Sequence, residues 1–154
     1  FDEWYSFGME DGSMPKAMIA VINHINSDRK VCDGVGMQSH LDSDPNSSTV
    51  EDYRKALQMY TEAELEIQMT EMDVNIDFVG TKESQEERYV DILKVILEAK
   101  RNGADITGIT LWEMADSVSA NGYLIPSLFY TPGQPKDVYY KVLQTYLNEG
   151  YKAE

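Results

Sequence analysis

Glu71 and Asp73 stand two residues apart in the stretch QMTEMDVNI, residues 68–76. The surrounding residues read as a strand, in which positions two apart share a face. Two acids on one face of an apolar run repel each other and resist burial. They mark either an edge strand facing water or a pair held for chemistry. Solvated acids at a strand end are the commoner arrangement. The apolar setting favours the chemical one, with Glu71 directed into a central crevice. A carboxylate there can act as nucleophile, general base or metal ligand.

His40, one of two histidines, ends a second strand-like run and shares its face with Gln38. If Asp73 lies on the adjacent strand, an Asp–His–Glu relay would fix the imidazole tautomer and hold Glu71 ionised. Trp112 ends a third run, where an indole serves either as core filling or as a platform for a sugar ring. His24, between Asn23 and Asn26 in mid-helix, reads as a surface residue.

These groups need elements to position them. The opening FDEWYSF has strand-like aromatics, and EDGS follows as a turn. Ser13 is expected to cap a helix with Pro15 in its first turn, and Met18, Ile22 and Ile25 recur at helical spacing. Residues 34–38 form a compact strand entering the loop HLDSDPNSS. Ser48 and Glu51 fit a capping box, followed by a helix burying Val50, Tyr53, Leu57 and Tyr60. Residues 65–76 make the next strand. Ser84 and Glu87 fit a second capping box, opening a long helix with Val90, Leu93 and Leu97 on its apolar stripe. Asn102 and Gly103 end it. A strand over 106–112, a loop with Asn121-Gly122 and Pro126, and a helix over 135–147 complete the order.

Strands alternating with helices, four of each, with near-continuous apolar strands, predict a parallel sheet covered by helices. Such a sheet is either open or half of an eight-stranded barrel. In both, functional residues gather at the carboxyl ends of the strands, where Gln38, His40, Glu71, Asp73 and Trp112 fall.

Acidic residues outnumber basic ones 27 to 13 in a chain of 154 residues, a formal charge of −14. That surface repels phosphate backbones and anionic membranes, so neither nucleic acid nor a membrane is an expected partner. A neutral ligand such as a sugar is compatible with it. A hydrophobic fraction of 42% fits one folded domain. Cys32 is the lone cysteine, so no internal disulfide framework exists, and it reads as a small buried thiol. No apolar run reaches transmembrane length. Asp42-Ser-Asp44-Pro-Asn46 faintly resembles a calcium loop but lacks the glycine of its sharp turn. Asn46-Ser47-Ser48 fits a glycosylation sequon. No phosphate-cradling glycine loop, CxxC pair or HExxH occurs, and no cofactor or metal is expected. A metal-dependent hydrolase built on His40, Asp42 and Glu71 has too few histidines.

Three stretches carry a resemblance. DGVGMQSHL (33–41), LEIQMTEMDV (65–74) and GITLWEMADSVS (108–119) resemble, in order and spacing, three strand-end motifs of the family 10 glycoside hydrolases, and PKDVYYKVL (135–143) resembles the family's last helix. These are endo-1,4-β-xylanases with a (β/α)8 barrel. The resemblance implies an α/β fold in which residues 1–154 are the C-terminal half of the barrel, about strands 5–8 and their helices. It implies retaining hydrolysis of xylan with Glu71 as nucleophile and Asp73 orienting His40. Gln38 and His40 would bind the substrate and Glu71, and Trp112 would wall the sugar at the cleavage point. A retaining mechanism needs a second, proton-donating carboxyl group about 5 Å away. In the family it ends the fourth strand, ahead of Phe1, so no acid/base is expected in this chain, nor the residues binding the glycone sugars.

The sequence departs from the family pattern at Asp2, where asparagine is usual, at Glu113, where glycine follows the tryptophan, and at Ala120, where a second tryptophan is common. Half a barrel should expose two strand edges and an apolar interior. Expected partners are therefore xylan or xylo-oligosaccharides, and either the missing N-terminal half-barrel or a second copy of the chain. The parent protein is expected to be secreted, its signal upstream, and the fragment alone inactive. The alternatives are a degenerate half-barrel that binds carbohydrate or scaffolds a partner, and another retaining β-glycanase.

Overall fold

The computed structural model describes residues 2–3, 12–76, 79–119 and 125–150. Its strands are β1 (Asp2–Glu3), β2 (Gly34–Met37), β3 (His40–Asp42), β4 (Glu66–Asn75), β5 (Ile106–Leu111), β6 (Phe129–Thr131) and β7 (Gln134–Pro135). Its helices are α1 (Ser13–Ile25), α2 (Thr49–Glu62), α3 (Lys82–Arg101) and α4 (Asp137–Asn148). Most of the expected opening strand, the Asn121-Gly122 turn and Ala120 lie outside the described residues.

β1, β2, β4 and β5 are parallel neighbours in that order, and β3 continues the line of β2 along the upper part of β4. Spatial order therefore follows chain order. An open doubly wound sheet reverses its strand order at a switch point; no reversal occurs here, so the arrangement is the arc of a barrel. β6 and β7 form a separate antiparallel hairpin.

The core lies between the sheet and the helices. Val35, Met37, Ile67, Met69, Met72 and Val74 meet Ile22, Tyr53, Leu57, Tyr60, Ile92 and Ile96 there, all nearly or wholly buried. The large tyrosines keep their hydroxyls bonded inside it. Tyr60 donates to Met18 Sδ at 3.0 Å, and Tyr53 bonds Ser39 Oγ at 2.8 Å. Gly34 is required where β2 meets β4, because a Cβ there would lie 2.6 Å from the Glu66 carbonyl oxygen.

The other face of the sheet is polar, which corrects the expectation of an apolar interior. Gly34, Gly36, Glu66, Gln68 and Thr70 line an open depression of about 430 Å³. The apolar side chains of these strands turn instead toward the helices, where four amphipathic faces cover them.

Several local expectations shift. Gly12, at φ 69°, caps α1, and Ser13 is the first helical residue without a side-chain cap. Met18 and Ile22 are buried, whereas Ile25 is exposed. Ser48 does cap α2, but no capping box forms: its hydroxyl donates to Asp52 at 2.6 Å instead of accepting a backbone amide. In α3 the box is Thr81 with Ser84, each side chain bonding the other's amide, rather than Ser84 with Glu87. Asn102 and Gly103 close α3 as expected, the glycine at φ 100°.

Candidate active site

β4 carries one more residue than either neighbour across its middle. Met69 pairs with Ile109 and Met72 with Leu111. On the other side Met37 pairs with Met69 and His40 with Asp73. An extra residue in one strand is a β-bulge, and it switches which parity faces each side. Ile67 and Met69 face the helices before it; Met72 and Val74 do so after it. Glu71 and Asp73 consequently join Gln68 and Thr70 on the polar face instead of entering the core.

Opposite the bulge, Ser39 breaks the line between β2 and β3 at φ 65°. This left-handed conformation is costly for a residue with a Cβ. Its buried hydroxyl bonds both Met37 O, at 3.1 Å, and Tyr53 of α2, which hold the turn in place. The Glu71 amide donates to Gln38 O at 3.1 Å and the Asp73 amide to Ser39 O at 3.2 Å. The break and the bulge thus bring His40 level with both acids.

His40 sits between them. Its Nδ1 is 2.9 Å from Asp73 Oδ1 and its Nε2 is 3.2 Å from Glu71 Oε2. The side chains of Asp73, His40 and Glu71 are 5%, 10% and 24% exposed, so Glu71 is the most open of the three. An ionised carboxylate only accepts hydrogen bonds, so both contacts are made together when both ring nitrogens carry protons. The hydrogen bond to Asp73 raises the His40 pKa above 6.5, against the opposing effect of burial, with Glu71 adding to it. Burial pushes the Asp73 carboxyl up from 3.8, and the His40 bond pulls it back.

Trp112 follows β5, its amide donating to Met72 O at 3.0 Å. Its ring meets His40 edge-on, centroids 5.7 Å apart at 85°, and stays 41% exposed. That exposure excludes a core-filling role. Gln38 is half-buried and tied to Glu71 through its own carbonyl. All five predicted site residues therefore meet at one end of the sheet. Asp42 and Asp44 lie apart from it, accepting the amides of Asp44 and Asn46 at 3.0 and 2.8 Å. His24 is exposed, and Cys32 is half-buried rather than fully buried.

Glu113 is a neighbour that the sequence marked only as a departure. It stands at φ 60°, its Oε2 is buried without a hydrogen-bond partner, and its charge adds to the upward push on Asp73. Tyr53 was expected only as a buried residue of α2, with no link to the site, and Ser39 was not anticipated; its one signal was its position between two strand-like residues of the site.

Comparison with known proteins places this geometry. The family model described as glycosyl hydrolase family 10 matches residues 5–145. Endo-1,4-beta-xylanase B of Butyrivibrio fibrisolvens is 36% identical over 132 residues, covering 79% of this chain and 20% of the relative. The bifunctional endo-1,4-beta-xylanase XylA of Ruminococcus flavefaciens is 36% identical over 112 residues, 72% of this chain and 11% of the relative. The solved N-terminal xylanase region of Clostridium thermocellum, complexed with xylohexaose, matches with a TM-score of 0.79 at 25% identity, over 92% of this chain and 28% of that one. A psychrophilic family 10 xylanase matches with a TM-score of 0.78 at 20% identity, over 99% of this chain and 44% of that one. The chain thus spans less than half the length of these relatives. The family match runs through nearly every described element, and this chain belongs to glycosyl hydrolase family 10 as part of its (β/α)8 barrel.

Proposed function

We propose that this chain is the nucleophile-bearing, C-terminal half of an endo-1,4-β-xylanase barrel that hydrolyses xylan with retention of configuration. The single observation that carries this reading is the relay, with Glu71 at its open end and His40 bridging it to buried Asp73. In the first step Glu71 attacks the anomeric carbon and forms a glycosyl ester as the glycosidic C–O bond breaks. The leaving oxygen takes a proton from a second carboxyl, which a retaining site holds about 5 Å from the nucleophile. We assign that acid to the part of the barrel this chain does not span. Water then hydrolyses the ester, and the same acid, now a base, accepts water's proton.

His40 donates to Glu71 and keeps its carboxylate aimed. Trp112 offers its exposed ring to the sugar, with Gln38 and His40 binding its hydroxyls. The whole protein is proposed to be secreted, where its polymeric substrate lies. The test is to produce this chain together with the complementary half of the barrel and assay release of reducing sugar from xylan. Glu71→Ala should lower the rate by about 10⁴-fold or more, as loss of a nucleophile does, and azide or formate should restore part of it. Activity untouched by that change would remove Glu71 from the role.

A further inference from the structure

Val74 follows Asp73 at a point where β4 has outrun its neighbour. β5 last pairs with β4 at Met72 and Leu111, and the Trp112 amide closes on Met72 O. Asp73 is bonded on the opposite side, to Ser39. The amide and carbonyl of Val74 face the side that β5 has left, and Val74 is wholly buried. Buried backbone groups without partners are destabilising, so the fold must supply them.

Helix α3 supplies the partners. Tyr89 Oη accepts the Val74 amide at 3.2 Å and donates to Pro126 O at 2.6 Å. Gln85 Nε2 donates to Val74 O and to Ile125 O, both at 2.7 Å. These two residues are one turn apart on one helix face, and each is nearly inaccessible. The segment they hold is gripped from its other side. Lys136 Nζ donates to Ile125 O at 2.8 Å and pairs with Asp116 Oδ2 at 2.6 Å. Asp116 Oδ1 accepts the Ser127 amide at 3.0 Å. Asp116 belongs to the loop that begins at Trp112, so one buried polar network reaches both sides of the site.

We propose that Gln85 and Tyr89 are positioning residues for the Glu71–His40–Asp73 relay: they stand in for the strand partner that Val74, paired with Leu41 of β3, lacks on the β5 side, and thereby set where Asp73 meets His40. What the relay does chemically rests on the function proposed above; its geometry does not. Tyr89→Phe keeps the ring and removes only the hydroxyl, which leaves the Val74 amide and Pro126 O unpaired.

In the wild-type chain, proton NMR should show a downfield imidazole N–H from His40 held by Asp73, whereas the ring proton of exposed His24 exchanges with water. Tyr89→Phe should lose or broaden that signal and shift the His40 titration while the chain remains folded. Ile22→Val in α1, a core change with its own stability cost, should leave both unchanged. A folded Tyr89→Phe with signal and titration intact would overturn the proposal, as would an equal change in Ile22→Val. Should Tyr89→Phe not fold, hydrogen exchange of the wild-type Val74 amide decides: core-like protection is expected, and exchange as fast as an unstructured amide refutes it. Neither readout needs sugar or turnover, so failure of the xylanase reading and failure of this one are separable.

Discussion

At the scale of single residues, the site is a problem of protons. Two carboxyls, Glu71 and Asp73, flank one imidazole and favour the imidazolium, while the charge of Glu113 adds to the upward push on Asp73. Because the folded state raises the His40 pKa above 6.5, folding binds that proton more tightly than the unfolded chain does. The associated stability is complete below about 6.5 and is lost as pH climbs through the raised value. Asp73 acts in the same direction, its upward shift making the folded state costlier as pH rises past 3.8. The melting temperature should therefore fall from mildly acidic to alkaline pH. Asp73→Asn removes the main cause of the His40 shift, so the His40 midpoint followed by NMR should drop and the slope of stability with pH should flatten. A midpoint that stays put would show that Asp73 does not govern His40.

At the scale of elements, what matters is where regular structure is interrupted. The bulge in β4 and the left-handed Ser39 are two breaks in adjacent strands, and together they move the acids out of the core and level with His40. The switch of apolar residues from odd positions, Ile67 and Met69, to even ones, Met72 and Val74, was readable in the sequence as a sign of the bulge. Strict alternation would have put Glu71 and Asp73 on the face of Ile67 and Met69. The helix starts show how close sequence reasoning came. A Ser or Thr with a polar residue three positions on was the right signature, but which pair forms the box depends on where the chain enters the helix. Thr81→Ala removes a working cap and should cost about 1 kcal/mol in urea unfolding. Ser48→Ala removes only an exposed bond to Asp52 and should cost less than about 0.5 kcal/mol; equal losses would contradict the two cap geometries.

At the scale of the whole molecule, the chain is an arc with an unfinished edge. Among the described residues β5 pairs only with β4, and its Ile109 and Leu111 are exposed beside an apolar groove of about 290 Å³ reaching Leu128 and Leu143. An unpaired apolar edge seeks a partner strand. The isolated chain should self-associate in sedimentation, Leu111→Lys should shift it toward monomer, and the complementary half-barrel should compete with self-association. A stable wild-type monomer would mean that the edge is satisfied within the chain. The four helices, the four main strands and the gathering of five candidate residues at one end of the sheet were legible from the sequence, because periodicity, turn chemistry and residue type are local properties; β3 and the β6–β7 hairpin, read as loop, were not. Tertiary structure alone decided the rest. Strand order without reversal made the sheet an arc, and α3 completed the bonds that β5 left open. Each depends on which backbone groups meet across long stretches of chain, and that is a property of packing, not of any local run of residues.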